Sequence, residues 1–343
     1  MPNAYIRGTG RYLPDKVVTN DDLVREFGIE TSDEWIEQRT GIKERRFAPD
    51  GMGVAEMGEY AARKALAAAG LEPHDLDLIV FATLSPEMHF PGSGPLLQHR
   101  LGLVGGDKLK FVPTLDIRNQ CSGFVYGLAT ADAFVRTGAY RHVLLVGSEA
   151  HSHGLDLTTR GRTVASLFGD GAAAVIVSAT EEDRGVRGAW LGANGEFAES
   201  LCQKIWDLRR LPYIPQDEHG NGIVSPEMMW AHMDGRTVFR HAVQAMSGSL
   251  MQACTALSLD LKDVDLFLFH QANMRINEYV ANLLKLPPDK VLHNIHKYGN
   301  TTAATIPLLM DEAVESGRLR PGMKVAIAAF GAGFTWGSAV IDW

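Results

Sequence analysis

The chain repeats itself. LEPHDLDLIVFAT at 71–83 and LDLKDVDLFLFHQ at 259–271 share one pattern, a leucine, a polar turn, Asp-apolar-Asp and an apolar run, at a separation of 188 residues (259 − 71). Each copy follows a helix-compatible stretch, AARKALAAAG at 61–70 and MQACTALS at 251–258, so each half reads as helix, short loop, strand. A second match sets Thr137-Gly138 of FVRTGAYRHVLLVG against Ser316-Gly317 of AVESGRLRPGMKVAIAAFG, at a separation of 179 (317 − 138). Alternating strands and helices in both halves predict mostly parallel sheets covered by helices, and two such βαβ halves packed together predict an α/β/α/β/α body of five layers. No Gly/Ser linker divides the halves, so the boundary near residue 180, between 1–180 and 181–343, is topological.

Carried back to the preceding helices, the offset of 179 places Cys121 of DIRNQCSGF opposite Asn300 of YGNTTAATIP, at equivalent helix starts. His270 leaves the repeated strand in the half that supplies Asn300, and polar Gln-Ala-Asn follows it. A cysteine at a helix start meets unpaired N–H groups and the helix dipole, which lower a thiol pKa and favour the thiolate. A free cysteine is otherwise a small buried hydrophobe, the reading that Cys202 and Cys254 keep. A histidine at a strand mouth can donate to a developing oxyanion or exchange a proton near neutral pH. Asn300 alone reads as a helix cap.

Composition limits the alternatives. The 343 residues are 45% hydrophobic and 22% charged, ordinary for a globular protein. Three scattered cysteines make no disulfide framework, no Cys or His cluster has metal spacing, and a reducing cytoplasm suits such a chain. A net charge of −8 opposes a nucleic-acid surface. The N-terminus lacks signal-peptide layout and no apolar run approaches a membrane span, so no membrane insertion is expected. Gly331-x-Gly333-x-x-x-Gly337 has the wrong spacing for a dinucleotide loop and runs into strand-like SAVIDW. The longest irregular stretch, about 200–235, suits a lid or binding loop.

DIRNQCSGF, HQANMRI, KYGNTTAATIP and FGAGFTWGSAVI, with TSDEWIEQRTGI at 31–42 and FGDGAAAVIV at 168–177, resemble the signatures of the β-ketoacyl-[acyl carrier protein] synthase III family of thiolase-superfamily condensing enzymes. The likeness spans nearly the whole chain and implies a thiolase-like fold. It also implies that Cys121 is the acyl-accepting nucleophile and that His270 and Asn300 bind the extender thioester carbonyl. Backbone N–H groups of Cys121 and Ala332 would form the oxyanion hole. Trp35, on a helix opened by a Thr31–Glu34 capping box, and Arg162, or Arg160 as the alternative in TTRGRT, would sandwich the adenine of coenzyme A. Arg39 and Arg275 match positions near the nucleotide phosphates and the carrier-protein entrance. Phe168, Phe239 and Phe330 belong to the expected substrate pocket, and Phe90 matches the aromatic that completes a partner subunit's pocket in a homodimer. Asn119 and Gln120, with Arg118, depart from the small residues usual before the nucleophile, and buried hydrogen-bonding groups there would need partners or would select a polar acyl group. Olefin-type relatives carry a glutamate where this chain has Phe90, although Glu87 is near.

The expected activity is decarboxylative Claisen condensation of an acyl-CoA with a malonyl acyl carrier protein, with coenzyme A thioester as substrate, no permanently bound cofactor and no metal. The rival is a specialised-metabolism acyltransferase, or a non-decarboxylative enzyme joining two acyl or 3-oxoacyl thioesters.

Overall fold

A computed structural model describes residues 1–205 and 207–343; residue 206, within the expected lid, lies outside the described residues. Nine strands form two sheets: β1 (Asn3–Tyr12), β2 (Leu78–Ala82), β3 (Thr114–Ile117), β4 (His142–Glu149) and β5 (Gly171–Thr180), then β6 (Gly185–Ala193), β7 (Leu266–Phe269), β8 (Lys324–Gly331) and β9 (Thr335–Asp342). Six helices carry the packing and the site: α1 (Asp33–Thr40), α2 (Val54–Ala69), α3 (Gly123–Arg136), α4 (Gly235–Leu257), α5 (Met274–Leu283) and α6 (Thr305–Glu315).

The sheet orders are β1-β5-β4-β2-β3 and β6-β9-β8-β7, so the two halves follow the same plan and the chain passes from one sheet to the other between Thr180 and Gly185. The fifth position of the second sheet shrinks to a bridge between Phe267 and Val291. The repeated Asp-apolar-Asp has a physical role in both copies. Asp77 N–H donates to the His142 carbonyl at 2.9 Å while its carboxylate accepts His142 N–H at 3.0 Å. Asp265 does the same with Lys324, at 2.8 and 2.7 Å. Each aspartate thereby fixes the start of the strand beside it, satisfying backbone groups at the sheet margin.

Helices α3 and α6 fill the space between the sheets: Phe124, Val125 and Leu128 of one and Ile306, Leu309 and Met310 of the other join residues of both sheets in one core. The apolar stripe of α2 covers the outer face of the first sheet, and α4 and α5 cover that of the second. The five layers α/β/α/β/α follow.

Two expectations change. The sheets are mixed and not mostly parallel: β2 pairs in parallel with β3 and β4, but β1–β5 and β4–β5 are antiparallel. In the second sheet only β7–β8 is parallel, because β9 returns directly from β8 as a hairpin. The equivalence of Cys121 with Asn300 also shifts. Gln120 and Thr302 have φ of 45° and 47°, and each opens a one-turn 3-10 segment, Gln120–Ser122 and Thr302–Ala304, that runs into α3 or α6. Those matching turns set Cys121 opposite Ala303; α6, with 11 residues against the 14 of α3, accounts for the three-residue difference.

Candidate active site

The nucleophile turn packs across the duplication. A Cβ on Gly331, at the end of β8, would lie 2.8 Å from Cys121 Cβ, and one on Gly147 of β4 would lie 2.5 Å from the Ala303 carbonyl oxygen. Each half's turn thus presses on the other half's central strand, and only glycine permits the approach. Cys121, His270 and Asn300 consequently meet at one cavity of about 120 Å³, with Leu167, Phe168, Leu201, Met233, Phe239, Met246, Phe330 and Gly331 also on its wall.

Cys121 is 9% exposed, and burial pushes its thiol up to about 12, helped by the charge of Glu149. Hydrogen bonds from the Cys121 and Ala332 backbone and from the Thr302 hydroxyl act in the opposite direction without prevailing. The expected depression by the helix start is therefore outweighed in the closed site. Those two backbone N–H groups both reach the sulfur, as donors to an oxyanion formed beside it would.

His270 is 2% exposed, and burial drives its ring down to about 3, so it is neutral. Its Nδ1 lies 2.7 Å from Thr305 Oγ1. That hydroxyl donates to the Thr302 carbonyl at 3.0 Å. The other ring nitrogen, Nε2, is buried without a partner. Asn300 is held by backbone bonds to Leu167 and Gly169, and its Oδ1 accepts Thr302 N–H at 2.8 Å, leaving its NH₂ as a donor. A neutral imidazole, an amide donor and a thiol thus border one cavity.

Among the outlying residues, Trp35 sits on α1, whose cap is Ser32: its hydroxyl accepts Trp35 N–H at 3.1 Å. No reciprocal box forms from Thr31, because the third helical residue is Trp35 itself, with no carboxylate to return the bond. The Arg162 guanidinium stands 5.3 Å from the Trp35 ring centre and that of Arg39 4.4 Å, whereas Arg160 pairs with Asp156 at 2.7 Å. Arg275 is exposed at the start of α5, capped by Asn273, whose amide also donates to the Arg39 carbonyl at 3.0 Å. Phe168, Phe239 and Phe330 are on the cavity wall. Asn119 and Gln120 are not: the positive φ of Gln120 turns its amide back to the Arg118 carbonyl, and Asn119 spends its carbonyl on Ser122. Arg118 is exposed and the other two half-buried, so the penalty of burying unpaired groups does not arise. Phe90 is 80% exposed and lies outside this chain's own cavity. Leu201 and Met233, paired strand residues at the two ends of the long loop, wall the cavity, as do Val238 and Ala242 of α4. Sequence reasoning named the loop but not these residues, which carry no signal beyond being apolar.

Two family models match, 3-oxoacyl-[acyl-carrier-protein] synthase III over residues 115–195 and its C-terminal counterpart over residues 254–343. The β-ketoacyl-[acyl-carrier-protein] synthase III 1 of Halalkalibacterium halodurans is 41% identical over 100% of this chain and 99% of its own length. The chain belongs to the β-ketoacyl-[acyl-carrier-protein] synthase III family. The synthase III structure from Thermus thermophilus superposes with a TM-score of 0.87 at 37% identity, covering 99% of both chains. The priming β-ketosynthase of the R1128 polyketide pathway gives 0.86 at 31% identity, covering 99% of this chain and 96% of that one. Membership makes this an acyltransferase-type condensing enzyme with a thiolase-like fold. Among the described residues no helix is long and apolar enough to cross a membrane.

Proposed function

We propose that the chain condenses an acyl-CoA with a malonyl acyl carrier protein by decarboxylative Claisen chemistry. Cys121 attacks the acyl thioester, the Cys121 and Ala332 N–H groups hold the oxyanion, and coenzyme A leaves. Malonyl carrier protein then enters, carbon dioxide departs, and the enolate attacks the Cys121 thioester. The observation that carries this reading is the buried, unpartnered Nε2 of neutral His270 on the cavity wall it shares with Asn300, from which the ring is proposed to donate beside the Asn300 amide. Two neutral donors stabilise an enolate without quenching it by proton transfer, which a charged imidazolium would do more readily.

Trp35 and Arg162 are the proposed adenine-binding pair, with Arg39 and Arg275 at the phosphates and the carrier-protein entrance. A homodimer fits the exposed Phe90 and Phe111 and the open edge of β3, where Leu115 is also exposed. No metal or permanently bound cofactor is required by this chemistry. Intact-mass detection after mixing with a panel of acyl-CoAs, followed by malonyl carrier protein, tests the reading. An acyl adduct on Cys121 and release of carbon dioxide with a 3-oxoacyl product are expected. An adduct that another thioester consumes without carbon dioxide would instead select non-decarboxylative condensation.

A further inference from the structure

Behind Cys121 lies a second set of buried polar groups that the condensation just described does not use. The Thr302 hydroxyl hydrogen-bonds the Cys121 sulfur on one side and lies 2.6 Å from His151 Nε2 on the other. His151 follows the end of β4, with its ring 4.7 Å from that of Phe168, and its Nε2 is 3.8 Å from Glu149 Oε2. Glu149 is wholly buried and heavily bonded. It accepts from Leu84 N–H, from the Ser85 N–H and hydroxyl, and from Thr83. The file therefore runs Cys121, Thr302, His151, Glu149, and its two central members come from the pseudo-equivalent turn of the second half and the turn that follows β4 in the first.

We propose that His151 takes up, through the hydroxyl of Thr302, the proton that Cys121 loses on acylation, and returns it to the departing coenzyme A sulfur. The step balances. As the new carbon–sulfur bond forms, the Cys121 S–H bond breaks and its proton joins Thr302 Oγ1. The former Thr302 O–H proton joins His151 Nε2, which becomes imidazolium beside Glu149. When the tetrahedral intermediate collapses and the thioester bond to coenzyme A breaks, His151 Nε2–H returns its proton to Thr302 Oγ1 as the Thr302 O–H proton passes to the departing coenzyme A sulfur. The net change is Cys121–SH plus acyl-CoA to acyl-Cys121 plus coenzyme A thiol.

The chemistry needs such a route. Burial places the free thiol at about 12, so a standing thiolate is scarce at neutral pH. Burial keeps the His151 ring neutral and so able to accept, and Glu149 Oε2, 3.8 Å from Nε2, is placed to stabilise the imidazolium as it forms. His270 does not serve, because its Nδ1 is committed to Thr305 and its Nε2 has no hydrogen-bond partner linking it to Cys121. The titratable groups that face His151 are Glu149, at the end of the preceding strand, and Cys121 across the Thr302 hydroxyl; Asp170 accepts from the neighbouring Ser152.

The inference rests on Cys121 being the acylated thiol, and one experiment separates the two. Single-turnover acylation by a short acyl-CoA is followed by rapid quench and intact mass from pH 6 to 9, in the wild type, His151→Leu, His151→Gln, Thr302→Val and Thr302→Ser. No adduct on wild-type Cys121 would overturn the underlying reading. With the adduct present, His151→Leu and His151→Gln are expected to acylate on the order of 10²-fold more slowly at pH 7 with unchanged apparent affinity, the deficit shrinking as pH rises. Thr302→Ser keeps the rate, and Thr302→Val, which preserves the β-branch but not the hydroxyl, loses it. Glutamine can hold the Thr302 hydroxyl but cannot accept the proton. A full rate in His151→Gln, or equal rates in the two Thr302 variants, would overturn the relay.

Discussion

A methyl group placed on Gly331 would stand 2.8 Å from Cys121 Cβ and 2.9 Å from its backbone nitrogen. Neither atom can retreat, because Cys121 is also held at the start of α3, whose Phe124, Val125 and Leu128 are locked between the sheets. Gly331→Ala is expected to displace the nucleophile turn and its oxyanion donor together, lowering acylation by on the order of 10²-fold or more. Wild-type single-turnover acylation in that variant would show that the turn has more room than this contact allows.

Cys121→Ala removes the only thiol on the cavity wall. No covalent acyl-enzyme is expected by intact mass, since no neighbouring group replaces it as nucleophile. Retained acylation would move the nucleophile elsewhere, with Cys202, half-buried on the short strand of the long loop, the next thiol to examine.

His270→Ala and Asn300→Ala each delete one donor from the proposed enolate site and leave the Cys121 and Ala332 N–H groups in place. Acylation of Cys121 should persist while malonyl decarboxylation falls by on the order of 10²-fold or more. Burst amplitude measured beside carbon dioxide release separates the steps; equal losses in both would contradict the division of labour.

Acid should destabilise the fold through three buried histidines. His151 and His270 are driven down to about 3 by burial, and His293 to about 4 by burial and the charge of His296. In the unfolded chain a histidine titrates near 6.5, so below that pH the unfolded state binds protons that the folded state refuses. Stability is therefore full above about pH 6.5 and falls as pH drops toward the folded values. Glu149, raised to about 7 by burial, acts oppositely: its contribution is present below about pH 4.5 and is lost as pH rises through 7. Three histidines outweigh one carboxyl. Tm is expected to fall from pH 7 to pH 5, less steeply in His293→Gln; parallel slopes for both proteins would remove His293 from the balance.

The duplication was legible in the sequence because Asp77 and Asp265 perform the same strand-fixing task, so the pattern around each is constrained twice. The offset of the nucleophile was not. A helix three residues shorter in the second half shifts a sequence comparison without moving the 3-10 turns, which are marked by backbone φ at Gln120 and Thr302 and by no residue type. The cavity members that chemistry dictates, Cys121, His270 and Asn300, could be named from motifs. Leu201 and Met233 could not, because apolar residues in a loop look alike until the chain folds over the cavity. Glu149 and His151 escaped notice for a related reason: a carboxylate and an imidazole at a strand end read as surface groups unless their burial is known.

Recognition of the nucleotide is the remaining test. Arg162 and Arg39 both approach the Trp35 ring, while Arg160 is engaged by Asp156 and turned to a separate cleft with Trp230 and Glu227. A cation stacked near an aromatic is worth about 0.5–2 kcal/mol. Trp35→Ala and Arg162→Ala should therefore raise KM for acyl-CoA by roughly 2- to 30-fold with kcat little changed, since the lost contact is made equally in ground and transition states. Arg160→Ala should leave KM within about 2-fold. The control is an acyl-pantetheine, which lacks the nucleotide: all four proteins should use it alike. A KM rise confined to Arg160→Ala would reassign the adenine partner, and an equal rise with acyl-pantetheine in Trp35→Ala would place the indole on the pantetheine arm instead.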